Sequence, residues 1–258
     1  MQPNVNVISL VSVGRHPQSG RARRAEQDGR AVELGLKLAG KNLTVVHAGN
    51  PQEPVLRQYA GMGLSSLTVL EQAQGCDALP ALVSFLTENS VNIVLTGVRS
   101  ENGESSGMLP YLLADQLNWP LVPRVADIVS VSAESAEVLL ALPRGQRRSV
   151  IVTLPFIASV DNAAQEARQT AFGPGLRADF HVLAMDTVVD EAAHQWKITA
   201  AKPRPKRLKV VKAKTAADRM KAATAKPVGS GGKIMKNETP EEKAKAIFDL
   251  LLEEKVVR

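Results

Sequence analysis

A chain of 258 residues with 44% apolar and 22% charged residues can bury a core as one domain, or as one domain with an arm. Aromatics at 3% argue against base-stacking platforms for nucleic acid, and the single Cys76 excludes an internal disulfide and a thiolate metal cluster. The net charge of +6 is unevenly placed: residues 202–236 hold twelve Lys or Arg against Asp218 alone, so that segment carries about +11 and the remainder about −5.

Residues 5–13 alternate as an apolar strand, and residues 14–24 read as a loop carrying Arg15, His16 and three more arginines. From Ala25, the recurrence of Ala31, Leu34, Gly35 and Leu38 at i, i+3, i+4 and i+7 predicts a helix that Gly40-Lys41-Asn42 ends. Residues 43–46 form a second strand, and Pro51 opens a helix running to about Gly61. Residues 64–70 give a third strand, and Asp77 caps a helix through about Glu88. Within residues 91–95, Ile93-Val94-Leu95 suits a fourth strand buried on both faces. A polar loop follows, then Leu109, Leu112, Leu113 and Leu117 at helical spacing; Ser105 or Ser106 caps that helix and Pro110 falls in its first turn. Small and hydroxyl residues at a helix start expose backbone N–H groups that attract phosphate.

Strands alternating with helices in this way imply parallel β-α-β units, an α/β fold of Rossmann-like three-layer form. Ligands in such sheets bind at the carboxyl ends of strands. Ser12-Val13-Gly14, His47-Ala48-Gly49 and the loop of residues 97–107 are therefore expected on one rim. After Trp119-Pro120 the pattern changes: residues 121–131, 136–142 and 149–154 read as an antiparallel extension. Residues 161–170 suit a helix or helical loop, residues 171–175 break it, and residues 180–185 are a short apolar stretch. Residues 202–236 read as an extended, poorly packed connector. Thr239-Pro240-Glu241-Glu242 is a capping box that opens a final helix with Ala244, Ile247, Phe248 and Leu251 along one side. That helix docks either on its own body or in a groove of another subunit. The division expected is a nucleotide-binding domain over residues 1–198 and a basic arm over residues 199–258.

The order and spacing of these segments resemble the beta subunit of electron transfer flavoprotein over nearly the whole chain. The likeness rests on Val11-Ser-Val-Gly-Arg15 and on residues 25–38, similar to that family's Asn-Pro-x-Asp/Glu-x-x-Ala-x-Glu-x-Ala-x-x-Leu helix with Ala-Glu for Asn-Pro. It extends to Ala48-Gly-Asn-Pro-Gln52 with Leu56-Arg-Gln-Tyr-Ala-Gly-Met-Gly63, and to Glu101-Asn-Gly-Glu-Ser-Ser-Gly107 followed by Leu-x-Trp-Pro-Leu. The resemblance implies a non-catalytic electron carrier that pairs with an alpha subunit. It implies one redox-active FAD held mostly by alpha, and a structural AMP in beta. Electrons would pass from flavin-dependent dehydrogenases to a membrane quinone reductase, in a bacterial cytoplasm or a mitochondrial matrix. No nucleic acid and no membrane insertion are implied. Carried over by position, the cofactor-binding residues are Ser12, Val13 and Arg15, then Ala48 and Gly49, then Asn102, Ser105, Ser106 and Gly107; none is catalytic and none binds metal. Glu104 suits a phosphate in that loop only with its carboxylate turned away. Residues 161–176 fall where the family's partner-recognition loop lies, without its Leu-Pro anchor or Lys run, which implies an unusual dehydrogenase partner.

Two other readings use the same residues. Gly103-Glu-Ser105-Ser-Gly107 matches the G-x-S-x-G elbow of hydrolases, with Asp161 or Asp179 and His181 or His194 following in the order a triad would need. A stand-alone, stress-type nucleotide-binding module would share the strand-loop-helix chemistry without needing the arm.

Overall fold

The computed structural model describes residues 5–103, 105–197, 199–201, 215–224 and 235–253. The chain divides into two units, Met1–Ile198 and Thr199–Arg258.

In the first unit β1 (Val7–Leu10) is buried throughout, and a hairpin of β2 (Val13–Arg15) and β3 (Ala22–Arg24) follows it. The hairpin occupies the stretch read as a loop: three arginines mask its short strand pairing, and the turn is closed by His16, whose Nδ1 accepts from Ser19 N at 3.1 Å. Then come α1 (Glu26–Ala39), β4 (Thr44–Gly49), α2 (Leu56–Ala60), β5 (Ser66–Glu71), β6 (Cys76–Asp77), α3 (Ala78–Glu88) and β7 (Ile93–Gly97). The helix expected from Pro51 is confined to α2; Pro54 removes an N–H from the preceding turns. Asp77 caps α3, accepting from Leu79 N at 2.9 Å. After β7, α4 (Leu109–Leu117) begins with Met108 at its cap position and without a side-chain cap, so neither Ser105 nor Ser106 caps it; Ser106, two residues before the cap position, accepts from Met108 N through Oγ at 3.2 Å.

The strands β8 (Leu121–Val131), β9 (Ser135–Ala141) and β10 (Arg147–Thr153) form the expected antiparallel extension. A further strand, β11 (Phe156–Val160), is fully buried and pairs in parallel with both β7 and β8. Residues 161–170 are not helical. Long-range bonds to α1 and α2 hold them open: Arg30 Nη1 donates to Ala164 O at 2.6 Å, Arg168 makes paired 2.8 Å bonds to Glu33, and Thr170 donates to Gln58 O. The segment read as a helix breaker is instead α5 (Phe172–Arg177). Gly175 lets this helix approach α2, since a Cβ there would lie 2.5 Å from Arg57 O. Arg57 Nη1 then donates to the carbonyls of Gly175, Leu176 and Ala178. The unit ends with β12 (Asp179–Ala184), β13 (Val188–Val189) and α6 (Glu191–His194).

The nine-stranded sheet runs β10-β9-β8-β11-β7-β1-β4-β5-β12, parallel from β8 through β12. Alternate strand residues bury against opposite faces: Val7, Val45 and Leu95 join α1 and α2 residues, whereas Ile8, Val46 and Val94 join Leu82, Leu86 and Leu113 of α3 and α4. The result is the expected three-layer α/β architecture.

The second unit contains α7 (Ala216–Thr224), a helix within the segment expected to be extended, and α8 (Pro240–Glu253). Residues 202–214 and 225–234 of that connector lie outside the described residues. The capping box of α8 is formed: Thr239 N donates to Glu242 Oε2 at 2.9 Å, and Glu242 N to Thr239 Oγ1 at 3.4 Å. Along α8, Ile247, Phe248 and Leu250 are exposed.

Tyr59 joins the end of β1 to the start of α1. Its hydroxyl accepts from Ala25 N at 2.9 Å and donates to Ser12 O at 2.8 Å, and the residue is fully buried. Tyr59→Phe leaves both backbone groups without a partner, so urea unfolding is expected to show a loss of about 1–3 kcal/mol.

Candidate functional site

The chain passes from β1 to β4 on one side and later returns to β7 on the other, so the sheet reverses its winding between β1 and β7. A crevice opens at such a point, outside the carboxyl ends of the strands. Here it is a cleft floored by Leu10, Val46 and Thr96, walled by Ala78 and Leu82 of α3 and closed by the start of α4. The loop after β7 forms its lip, with Arg99, Ser100, Ser105, Ser106 and Gly107.

Of the residues expected to bind a cofactor, Ser12, Ala48, Ser105, Ser106 and Gly107 line this cleft. Gly49 ends β4 one residue beyond Ala48, and Val13 begins the hairpin and packs on the core. Asn102 turns away, its carbonyl accepting from Ser100 Oγ at 2.8 Å. Arg15 lies in a neighbouring depression with His16, Arg23 and Arg99. Glu104 is outside the described residues. The lip is held in a tight shape: Gly103 and Gly107 have φ of 77° and 76°, and Ser105 adopts 55° without the freedom of glycine. A Cβ at Gly107 would meet Val98 O at 2.7 Å, so the loop closes only on a glycine there.

The cleft's charged groups among the described residues are Arg99 on the lip and Asp28 beneath it. Asp28 comes from the first turns of α1 and is 5% exposed. Its Oδ2 accepts from Ser12 N at 2.8 Å and from Ser12 Oγ at 2.6 Å. Burial pushes its pKa up to about 6, against the opposing effect of those bonds. Ser12 O is taken by Tyr59, so the backbone N–H, hydroxyl and carbonyl of Ser12 are all engaged. Ser12 is thus a wall of the cleft and not a free donor. His47 Nδ1 lies 2.9 Å from Val11 O, which can only accept, so Nδ1 carries the proton; burial lowers the ring's pKa and keeps it neutral. Thr96 borders the cleft at 4% exposure, and its hydroxyl has no hydrogen-bond partner among the described residues.

Sequence reasoning missed Asp28 and Thr96. Asp28 stands at the acidic position of the helix motif, the signal that could have found it. Thr96 ends an apolar strand and looks like ordinary core.

The hydrolase reading fails on geometry. Asp179 and His181 lie on β12, four strands from β7, roughly 19 Å across the sheet. Asp161 instead faces Arg124 at 3.5 Å. No His, Cys, Asp or Glu cluster among the described residues could hold a metal ion.

Fold and cleft together define the class: a doubly wound α/β protein with its ligand crevice at the switch point of the parallel strands. A family model described as electron transfer flavoprotein domain matches residues 18–184. The electron transfer flavoprotein subunit beta of Chromohalobacter salexigens is 48% identical over 261 residues, spanning 100% of this chain and 98% of that protein. The chain belongs to the electron transfer flavoprotein family, as a beta subunit, and is an electron-transfer subunit and not a catalytic enzyme. The match over the full length sets aside the stand-alone module. No helix among the described residues is long and apolar enough to cross a membrane.

Asp28 makes stability depend on pH with a definite sign. Its folded pKa of about 6 lies above the 3.8 of an unperturbed aspartate, so between those values the folded state holds more of the proton. Stability from this group therefore falls as pH rises from 4 to 6, by at most roughly 3 kcal/mol. Urea unfolding of Asp28→Asn and the parent at pH 4, 5, 6 and 7 is expected to show the variant gaining stability relative to the parent across that window.

Proposed function

We propose that this beta subunit assembles with an alpha subunit around one FAD, held mostly by alpha, and keeps an AMP in the cleft as a structural nucleotide. On this reading the pair takes electrons from flavin-dependent dehydrogenases and delivers them to a quinone reductase at the membrane, the carrier itself residing in the cytoplasm of a bacterium. The observation that supports the AMP reading is the convergence of Arg99, the Ser105-Ser106-Gly107 lip and the start of α4 on one side of a switch-point cleft whose other walls are aliphatic. An anion is favoured beside a guanidinium and the unpaired first N–H of a helix; at the start of α4 that N–H is Leu109's, since Ser106 Oγ takes Met108 N and Pro110 has none. With Ser12 fully engaged, the phosphate belongs to the lip, and the base to the aliphatic side near Ala48 and Leu82.

The apolar side of α8 is the surface through which the arm grips the alpha subunit, and its exposed Ile247, Phe248 and Leu250 support that reading. The dehydrogenase meets α5, where Phe172 is 79% and Leu176 56% exposed. These replace, in kind, the apolar anchor of the family's recognition loop. On this reading Arg15, with the neutral His16 beside it, faces the flavin edge, where positive charge favours the anionic reduced form.

Co-expression with the alpha subunit, heat release of bound nucleotides and their chromatographic identification test this directly. FAD and AMP are expected at about one each per heterodimer. Arg99→Ala is expected to lower AMP recovery by about tenfold, the worth of one charge-assisted bond, and to leave the flavin absorbance spectrum in place. A heterodimer carrying flavin but no adenylate ends the AMP reading. Phe172→Ala is expected to slow reduction by the donor dehydrogenase by about tenfold or more, as for an apolar anchor at a partner surface, with flavin content unchanged.

A further inference from the structure

The loop after β7 faces two ways. Arg99, Ser100, Ser105, Ser106 and Gly107 line the cleft, and Glu101 reaches in the other direction to the hairpin of β2 and β3. Its carboxylate is 18% exposed and accepts four hydrogen bonds. Oε2 takes Arg15 N at 3.2 Å and Arg23 Nε at 3.0 Å; Oε1 takes Arg23 Nη2 at 2.9 Å and Glu26 N at 2.9 Å. Glu26 begins the 14-residue α1, so the carboxylate also satisfies an N–H that the helix cannot pair internally. Gly14 makes room for it: a Cβ there would lie 2.8 Å from Oε2. Among the described residues, every hydrogen bond between hairpin and loop ends on Glu101. The other backbone tie of the lip, Arg99 N to Gln27 Oε1 at 3.1 Å, goes to α1 and not to the hairpin.

Arg15, Arg23 and Arg99 border one depression, which shares Arg99, Ser100 and Ser105 with the cleft. Three guanidiniums around one space repel, and Glu101 is the acid lodged among them. We infer that Glu101 is a positioning residue that links the cleft to the hairpin, so that filling the cleft fixes where Arg15 and Arg23 stand. The inference rests on the nucleotide reading of the cleft. A ligand that orders the lip orders Glu101, two residues from Arg99, and through it the backbone of Arg15 and the side chain of Arg23. By linkage, a hairpin held in place tightens ligand binding by the same factor.

Hydrogen exchange read by mass spectrometry on the heterodimer, stripped of nucleotide and then given AMP, tests this. In the parent, AMP is expected to slow exchange in peptides covering residues 97–107 and also in those covering residues 13–24, the latter roughly fivefold or more. In Glu101→Gln, AMP still slows the lip and no longer slows the hairpin. A parent whose lip is protected and whose hairpin is not overturns the inference and leaves the nucleotide reading standing. A parent in which AMP protects neither segment ends the nucleotide reading and the inference with it. A hairpin that AMP protects equally in Glu101→Gln also overturns it, because the link then runs elsewhere. A parent hairpin that AMP leaves unprotected overturns the inference whatever the variant does.

Discussion

A carboxylate buried at the carboxyl end of β1 is the interaction on which the cleft depends. Asp28 is held by the amide and hydroxyl of Ser12, and a Cβ at Gly97 would collide with it. It therefore fixes how the ends of β1 and β7 part around the first turn of α1. A buried carboxylate opposes its own ionisation, and the bonds from Ser12 only partly offset this, which leaves a pKa near 6. The same contacts occupy both hydrogen-bond donors of Ser12.

The second acid of the region, Glu101, works by a different balance. It is not desolvated into an apolar pocket; it is surrounded by donors, two of them backbone amides and two from one guanidinium. Asp28 and Glu101 thus divide the switch point between them. One shapes the floor from within α1, and the other anchors the lip from outside it. Both approaches require a glycine, Gly97 for Asp28 and Gly14 for Glu101. These positions bring side chains from sequence-distant elements against a bare backbone.

The parallel half of the sheet was legible because its strands are short apolar runs punctuated by glycine, asparagine and proline, as at Ile93 to Gly97. The rim prediction followed from the same periodicity; of the nine residues that the family resemblance placed there, five line the cleft. What escaped was set by distant partners. Phe156–Val160 continues the apolar run of Arg147–Thr153 across Leu154-Pro155, so one stretch of sequence hides two strands with different neighbours. Phe172–Arg177 reads as a breaker by composition, yet Arg57, more than a hundred residues earlier, stabilises its carbonyls. Residues 161–170 have helical composition, but Glu33 and Arg30 of α1 claim Arg168 and Ala164. Asp28 looks like a solvated helix position because nothing local announces that Ser12 will arrive above it.

The sheet order also bears on how the polypeptide folds. The inner strand β1 pairs only with segments far along the chain, Ile8 with Thr44 and Val7 with Ile93. The last inner strand completes the layer only once Phe156 is in place, and one border awaits Asp179. Pairings of such long sequence separation form slowly. Folding of this unit is therefore paced by these distant pairings and not by local hairpins.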